Sequence, residues 1–205
     1  VPSVNDVDTA SRRPTVAIDI GFGNSSTSGI AWSEAPSQSP ELFTTDFGSC
    51  PDKVLSCVKG HGEFNLILEA PLFGAFDNSG NPVGRLPLEK RSEAIRYWYL
   101  QAGANVGLGA LFLLRELATR AEGREIHLFE GFVSFKSDVS DHKTDAKLLL
   151  SELRKGHDGD IRNLAYTAQE RGAERCISIL DVLGFNGKKH SLSCPLVVVP
   201  HIETR

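Results

Sequence analysis

The sequence lacks several features that would assign the protein to a class at once. It contains no methionine, which indicates that the natural start was removed or not included. No apolar run approaches the about 18 to 20 residues that a membrane-spanning helix needs. The first residues are polar and lack the apolar segment of a secretion signal. We therefore expect a cytoplasmic protein with no membrane partner.

Cysteine is scarce, and its spacing excludes one common kind of metal site. The four cysteines include no Cys-x-x-Cys pair, which argues against zinc binding. Cys176 and Cys194 lie in apolar, strand-like surroundings, so we predict that both are buried free thiols. Reduced cysteines are typical of the cytoplasm.

Positive charge is also in short supply. The 22 basic residues are outnumbered by 26 acidic ones, which gives a net charge of -4 and argues against a chain-wide electrostatic grip on nucleic acid. A local basic groove remains open, with a solvated helix face as the alternative reading. The best candidates for substrate contacts are four basic residues that lie within twelve positions of one another: Arg85, Lys90, Arg91 and Arg96.

The remaining composition is that of an ordinary globular protein. Its 205 residues, of which 40% are hydrophobic and 23% charged, predict one domain with a substantial core. We expect residues 1–14 to be disordered or extended, and residues 15–205 to form the domain, with a C-terminal extension from about residue 156.

Apolar periodicity predicts an α/β fold. The predicted strands are residues 15–20, 27–32, 41–45, 64–68, 125–135 and 192–199. The predicted helices are residues 52–59, 89–101, 104–122, 142–155 and 160–171, and residues 73–87 are predicted to form a long loop.

Two acidic residues interrupt apolar runs that otherwise resemble buried strands. Asp19 lies near the end of Val-Ala-Ile-Asp-Ile, and Glu69 lies near the end of Phe-Asn-Leu-Ile-Leu-Glu. A buried carboxylate is costly unless it is paired or bound to a cation. Their positions therefore indicate a chemical role.

A third acid lies at the predicted start of a helix. The residues His142-x-x-Asp145 follow Asp141 and Ser140, either of which can cap the helix. Their spacing places His142 and Asp145 on one helix face. Together with Asp19 and Glu69, Asp145 predicts a shared site for a divalent cation, because hard cations prefer oxygen ligands.

Glu130 is a further acidic candidate, since it also ends an apolar strand. It could serve as a fourth metal ligand or as a base next to the ligands. The alternative is a structural pair with an arginine.

Three of these segments resemble the ribonuclease-H-like superfamily when they are taken in order. Val-Ala-Ile-Asp19-Ile-Gly resembles its first strand, and Leu-Ile-Leu-Glu69-Ala-Pro resembles a later strand of the Holliday-junction-resolvase branch. His142-Lys-Thr-Asp145-Ala is similar to the His-x-x-Asp-Ala motif on that branch's last helix. The chain is also similar to a group of uncharacterised bacterial ribonuclease-H-like proteins.

The resemblance implies a single α/β domain, with a mixed sheet of five or more strands flanked by helices, and nuclease activity. Two Mg²⁺ or Mn²⁺ ions would be held by Asp19, Glu69 and Asp145, with Asp19 bridging them, and would support phosphodiester hydrolysis. His142 would ligate a metal or handle a proton. The nucleic acid, DNA or RNA and branched or linear, stays open, as does the choice between monomer and homodimer.

Two other functions remain open. The segment from Asp19 to Thr27 also resembles the first phosphate loop of actin-like ATPases and sugar kinases, in which backbone N–H groups bind phosphates. A non-catalytic ribonuclease-H-like module that assembles with a protein partner in a larger complex is the third reading.

Overall fold

The apolar runs of the sequence become strands of one mixed sheet with helices on its faces. A computed structural model of the chain describes residues 4–22, 27–85, 102–121, 123–133, 141–163, 169–170, 172–178 and 195–199. Its helices are α1 (Val4–Arg12), α2 (Cys50–Cys57), α3 (Ala102–Arg120) and α4 (His142–Arg154). Its strands are β1 (Thr15–Asp19), β2 (Ser28–Ser33), β3 (Glu41–Thr45), β4 (Glu63–Glu69), β5 (Phe73–Phe76), β6 (Glu125–Val133), β7 (Ile161–Asn163), β8 (Arg175–Ser178) and β9 (Pro195–Val199).

Within the described residues, the main sheet has seven strands in the order β3-β2-β1-β4-β6-β9-β7. The β1–β2 hairpin is antiparallel, and β3 extends it in the same manner. Strands β4, β6 and β9 then follow in parallel beside β1, and β7 closes this edge in antiparallel orientation. The predicted α/β class, with a mixed sheet flanked by helices, is confirmed.

The central strands bury side chains on both faces, as parallel strands covered by helices must. On one face, residues such as Ile18 and Leu66 pack in a cluster with residues of α2 and α3. On the other face, Ala17 and Ile67 pack with residues of α4, including Leu149. Since successive side chains along a strand point to opposite faces, the position of a residue in its strand decides which helices it contacts.

Of the helices in the described residues, none has the length and hydropathy of a membrane span.

Helix α4 lies directly against the hairpin because β2 carries a glycine at the point of closest approach. A Cβ atom on Gly29 would lie 2.1 Å from the carbonyl carbon of His142. At the other end of α4, Arg154 donates hydrogen bonds to the backbone oxygens of Ser11 and Ser33. Burial lowers the pKa of Arg154 to about 10. Both ends of α4 are therefore fixed on the sheet.

The predicted disorder or extended structure of residues 1–14 is wrong for residues 4–12, which form α1. The helix presents Ala10 to the interior, where its carbonyl oxygen accepts a hydrogen bond of 2.7 Å from Asn65 Nδ2. Asp8 also lies 3.1 Å from Nε2 of His157. The segment is polar overall, so tertiary contacts rather than apolar content account for the helix.

Two other predictions need correction. Residues 73–87 are not wholly a loop, because β5 pairs antiparallel with β8. The helix predicted for residues 160–171 is wrong at its start, because β7 pairs with β9 there. Both errors arise from pairing with strands that are distant in sequence, which local patterns do not report. The helix predicted for residues 89–101 lies outside the described residues.

The described cysteines are free thiols. Cys176 is partly buried, whereas the sequence predicted a buried thiol. This partial burial raises the pKa of its thiol. Cys194 lies outside the described residues.

We predict that Gly29→Ala destabilises the protein, because the new methyl group would overlap the backbone of His142 and Lys143. Overpacking of this kind costs about 1 to 3 kcal/mol. Urea denaturation would measure the loss. Gly62→Ala is the matched control, since a Cβ atom at Gly62 meets nothing within 4 Å. Equal stability of the two variants would contradict the close seating of α4.

Candidate metal centre

The first two acids of the site are brought together by strand pairing. Asp19 ends β1 and Glu69 ends β4, and the two residues are partners in the register of this parallel pair. Partners in adjacent strands project from the same face, which here is the face that α4 covers, because Ala17 and Ile67 two positions earlier pack against it. Asp19 is buried and Glu69 is half-buried.

The third acid comes from the first turn of α4. Asp141 caps this helix, and its Oδ1 accepts a hydrogen bond of 2.8 Å from the Thr144 backbone N–H. Asp145 follows in the first turn and is buried, with 2% of its surface exposed. The partial positive charge at a helix N-terminus favours a carboxylate there.

The carboxylates of Asp19, Glu69 and Asp145 converge. One oxygen from each lies within 4.8 Å of those of the other two. The structure thus brings together the three acids that the sequence proposed as a shared site. Their ligand role stays a prediction.

The donor set fits a hard divalent cation. All three groups offer carboxylate oxygens, which Mg²⁺ and Mn²⁺ prefer. Carboxylates this close repel one another. A cation bound among them would offset that repulsion.

His142 contacts the acid cluster through Asp19. Its Nδ1 lies 2.8 Å from Oδ2 of Asp19. In the imidazole tautomer that carries its hydrogen on Nδ1, this nitrogen donates and the carboxylate accepts. Nε2 lies toward Gly21, where a Cβ atom would approach it to 2.9 Å. His142 is partly exposed, with 44% of its side chain accessible to solvent, and its catalytic role stays a prediction.

Glu130 does not join the other acids, and its assignment as a metal ligand is corrected. Its register partner on β4 is Leu68, which packs on the α2 and α3 face. Glu130 therefore projects from the face opposite to Asp19 and Glu69. It forms a buried ion pair with Arg85, with 2.8 Å between Oε1 and Nη2. The structural alternative, a pair with an arginine, is what the structure contains.

The same pair corrects the assignment of Arg85 to substrate binding. Only 1% of Arg85 is exposed, so its guanidinium is not presented to a substrate at the surface. The other three basic candidates, Lys90, Arg91 and Arg96, lie outside the described residues.

Two contacts of the site were not predicted from the sequence. The hydrogen bond between His142 and Asp19 and the close approach at Gly29 both depend on how α4 is seated on the hairpin. A glycine within an apolar strand, such as Gly29, often marks a point where another backbone approaches closely. This pattern could have indicated that a helix packs against β2 there.

Comparison with models of protein families, with curated proteins and with solved structures finds no significant match. Function is therefore inferred from the geometry of the site.

We predict that Mn²⁺ binds to the wild-type protein and raises its melting temperature. Ligand at about 100 times its Kd stabilises a native state by about 2.7 kcal/mol. Asp19→Asn and Asp145→Asn should each weaken binding, because each removes a charged ligand from the cluster. Calorimetric titration would measure the affinity, and melting of the metal-free variants would verify that they fold.

The matched control for this titration is Asp52→Asn, which neutralises an exposed acid that pairs with Arg120 on α3. Its Mn²⁺ affinity should equal that of the wild type. A wild type that takes up no Mn²⁺, or an Asp19→Asn variant that binds it unchanged, would contradict the metal centre.

A second prediction concerns the cap of α4. The hydrogen bonds from Thr144 hold the pKa of Asp141 below its ordinary value of 3.8. A carboxyl group with a depressed pKa in the folded state stabilises the fold above its unfolded pKa, and this stabilisation is lost as the pH falls through the folded value. Asp141→Asn keeps a capping oxygen but does not titrate.

The wild type should therefore exceed Asp141→Asn in stability above about pH 4, and the difference should shrink at lower pH. Denaturation of both metal-free proteins along a pH series would measure it. Taking the difference cancels the titrations that the two proteins share. A difference that stays constant across the acid range would show that the charge of the cap contributes nothing.

Proposed function

We propose that the protein is a metal-dependent nuclease that hydrolyses phosphodiester bonds with Mg²⁺ or Mn²⁺. The observation that carries the proposal is the convergence of Asp19, Glu69 and Asp145 to within 4.8 Å. These residues come from two strand ends and a helix start, far apart in the chain. Three carboxylates at one point supply the oxygen ligands that a hard divalent cation prefers.

The order of the elements supports the ribonuclease-H-like part of the proposal. The first strand carries Asp19 and forms a hairpin with β2, and β3 extends it. The next parallel strand, β4, carries Glu69, and α4 carries Asp145 on the face that these two acids share. This is the arrangement of acids on which the resemblance to that superfamily rests.

In this proposal Asp19, Glu69 and Asp145 would hold the cations through their carboxylates. When bound, a pair of divalent cations activates a water molecule and stabilises the leaving oxygen of an in-line displacement. The burial of Asp19 and Asp145 keeps these ligands in one orientation, which a metal site requires.

His142 has a separate task. Its hydrogen bond to Asp19 orients the imidazole, and the second ring nitrogen is left to exchange a proton with water or with a leaving oxygen. Its partial exposure gives the proton a path to solvent.

The direct test incubates the protein with single-stranded, duplex, hybrid and branched nucleic acids, with Mg²⁺, with Mn²⁺ and with a chelator. We expect metal-dependent cleavage of at least one class. The double variant Asp19→Asn with Asp145→Asn should be inactive, and His142→Ala should lose about 100-fold in rate or more, as for a general acid or base. Asp52→Asn should retain wild-type activity.

Each contrary result has a distinct meaning. Cleavage that survives in the double variant would come from a contaminant or from another site. Mn²⁺ binding without cleavage of any substrate would favour the non-catalytic module. Thermal stabilisation by ATP with Mg²⁺, in a protein that Mn²⁺ alone does not stabilise, would favour the actin-like reading, whose phosphate loop includes residues 23–26 outside the described part of the chain.

A further inference from the structure

A buried ion pair lies on the face of the sheet opposite to the acid cluster. Glu130 and Arg85 are 0% and 1% exposed. Nη2 of Arg85 lies 2.8 Å from Oε1 of Glu130, and Nη1 donates a hydrogen bond of 3.1 Å to Oε2. Two contacts thus join the groups, an ion pair at Oε1 and a hydrogen bond at Oε2.

Both members of the pair also hold the backbone that follows β4. The Leu72 N–H donates a hydrogen bond of 2.8 Å to Oε2 of Glu130. Nη1 of Arg85 donates one of 2.6 Å to the carbonyl oxygen of Phe73. Leu72 is therefore tied to the carboxylate of Glu130 on β6, the neighbouring strand, and Phe73 is tied to the arginine that pairs with it.

This backbone leads directly from Glu69. Ala70 and Pro71 separate Glu69 from Leu72, and the Ala70 N–H turns back to the Leu68 oxygen at 2.8 Å. Pro71 also lies against Gly107 of α3. Glu69 is the last residue of β4, so pairing with β1 fixes the chain before it and the ion pair fixes the chain after it.

Stability alone is a poor account of this pair. Desolvation of two charges offsets most of their attraction, and apolar replacement of a buried pair is often neutral or stabilising. Directional hydrogen bonds hold a defined stretch of backbone in place, which an apolar pair cannot do. Such positioning matters near a metal ligand, which must be held to within about 0.5 Å. The bonds of Glu130 and Arg85 meet that need at Leu72 and Phe73.

We propose that Glu130 and Arg85 are positioning residues that hold Glu69 in the acid cluster from the opposite face of the sheet. The inference rests on the proposed metal centre. Glu130 thus serves the site through the backbone of Leu72 and does not ligate the metal itself.

The test uses the double variant Glu130→Leu with Arg85→Met, which removes both charges together and leaves no buried ion unpaired. We expect this variant to fold. Its affinity for Mn²⁺ should fall about 10- to 100-fold below that of the wild type, the usual loss when a group that orients a metal ligand is removed. The Leu72 amide should lose its protection against hydrogen exchange. Glu130→Gln with Arg85→Met keeps an acceptor for the Leu72 N–H but loses the bond to Phe73, so it should recover the Leu72 amide protection and only part of the Mn²⁺ affinity.

Asn65→Ala is the matched control for lost stability. Asn65 lies on the same strand as Glu69 and donates buried hydrogen bonds to Ala10 and Thr15 near the other end of that strand. The variant should melt at a lower temperature but bind Mn²⁺ as the wild type does. This result would separate a general loss of stability from a displaced ligand.

Unchanged Mn²⁺ affinity in the Leu/Met variant would overturn the inference while leaving the metal centre intact. A Leu72 amide that stays protected in the Leu/Met variant would also overturn the positioning role. If the wild type itself binds no Mn²⁺, the proposed function fails. Should the Leu/Met variant not fold, Arg85→Lys replaces it, because lysine keeps the charge but lacks the fork that reaches both Glu130 and Phe73. Wild-type Mn²⁺ affinity in Arg85→Lys would likewise overturn the inference.

Discussion

The parallel register of β1 and β4 is the constraint on which the site depends. It aligns Asp19 with Glu69, so that two carboxylates project side by side from the face that α4 covers. The residues before them, Ile18 and Leu68, point to the opposite face and are fully buried there. A slip by one residue would exchange the two sets, placing acids in one core and large apolar groups at the site. Core packing therefore sets the direction of both carboxylates before any cation is considered.

The third acid depends on a different kind of contact, namely the fit of a helix end to a hairpin. Gly29 lets the backbone at His142 approach β2 more closely than any other residue type would allow. The cap at Asp141 then starts the helix at this point, and Asp145 follows one turn later, above Asp19 and Glu69. Arg154 fixes the far end of the helix to the backbone of α1 and β2. Two anchors at opposite ends determine where the carboxylate of Asp145 lies.

The acids of the site could be predicted from the sequence because a carboxylate inside an apolar run is costly and conspicuous. The same signal at Glu130 predicted a ligand wrongly. The face of the sheet to which an acid points depends on its position in the strand and on the strand register, not on the apolar run around it. Register between strands that are far apart in the chain is set by tertiary packing, and a single sequence does not report it. The same limit explains β5 and β7, whose partners β8 and β9 come much later in the chain. Helix α1 was missed because its contacts with Asn65 and Arg154, rather than its own composition, stabilise it.

The charge of the protein constrains how a nucleic-acid substrate could bind. A net charge of -4 and three clustered carboxylates repel a polyanion, and repulsion is strongest at the point where a phosphate would have to sit. The buried pairing of Arg85 removes one of the four basic residues that were candidates to offset this repulsion. In a nuclease with this site, the cations must therefore supply attraction for the phosphate as well as the chemistry. Substrate affinity would then depend on the metal, and it would be less sensitive to salt than that of a protein that grips the backbone with many lysines and arginines.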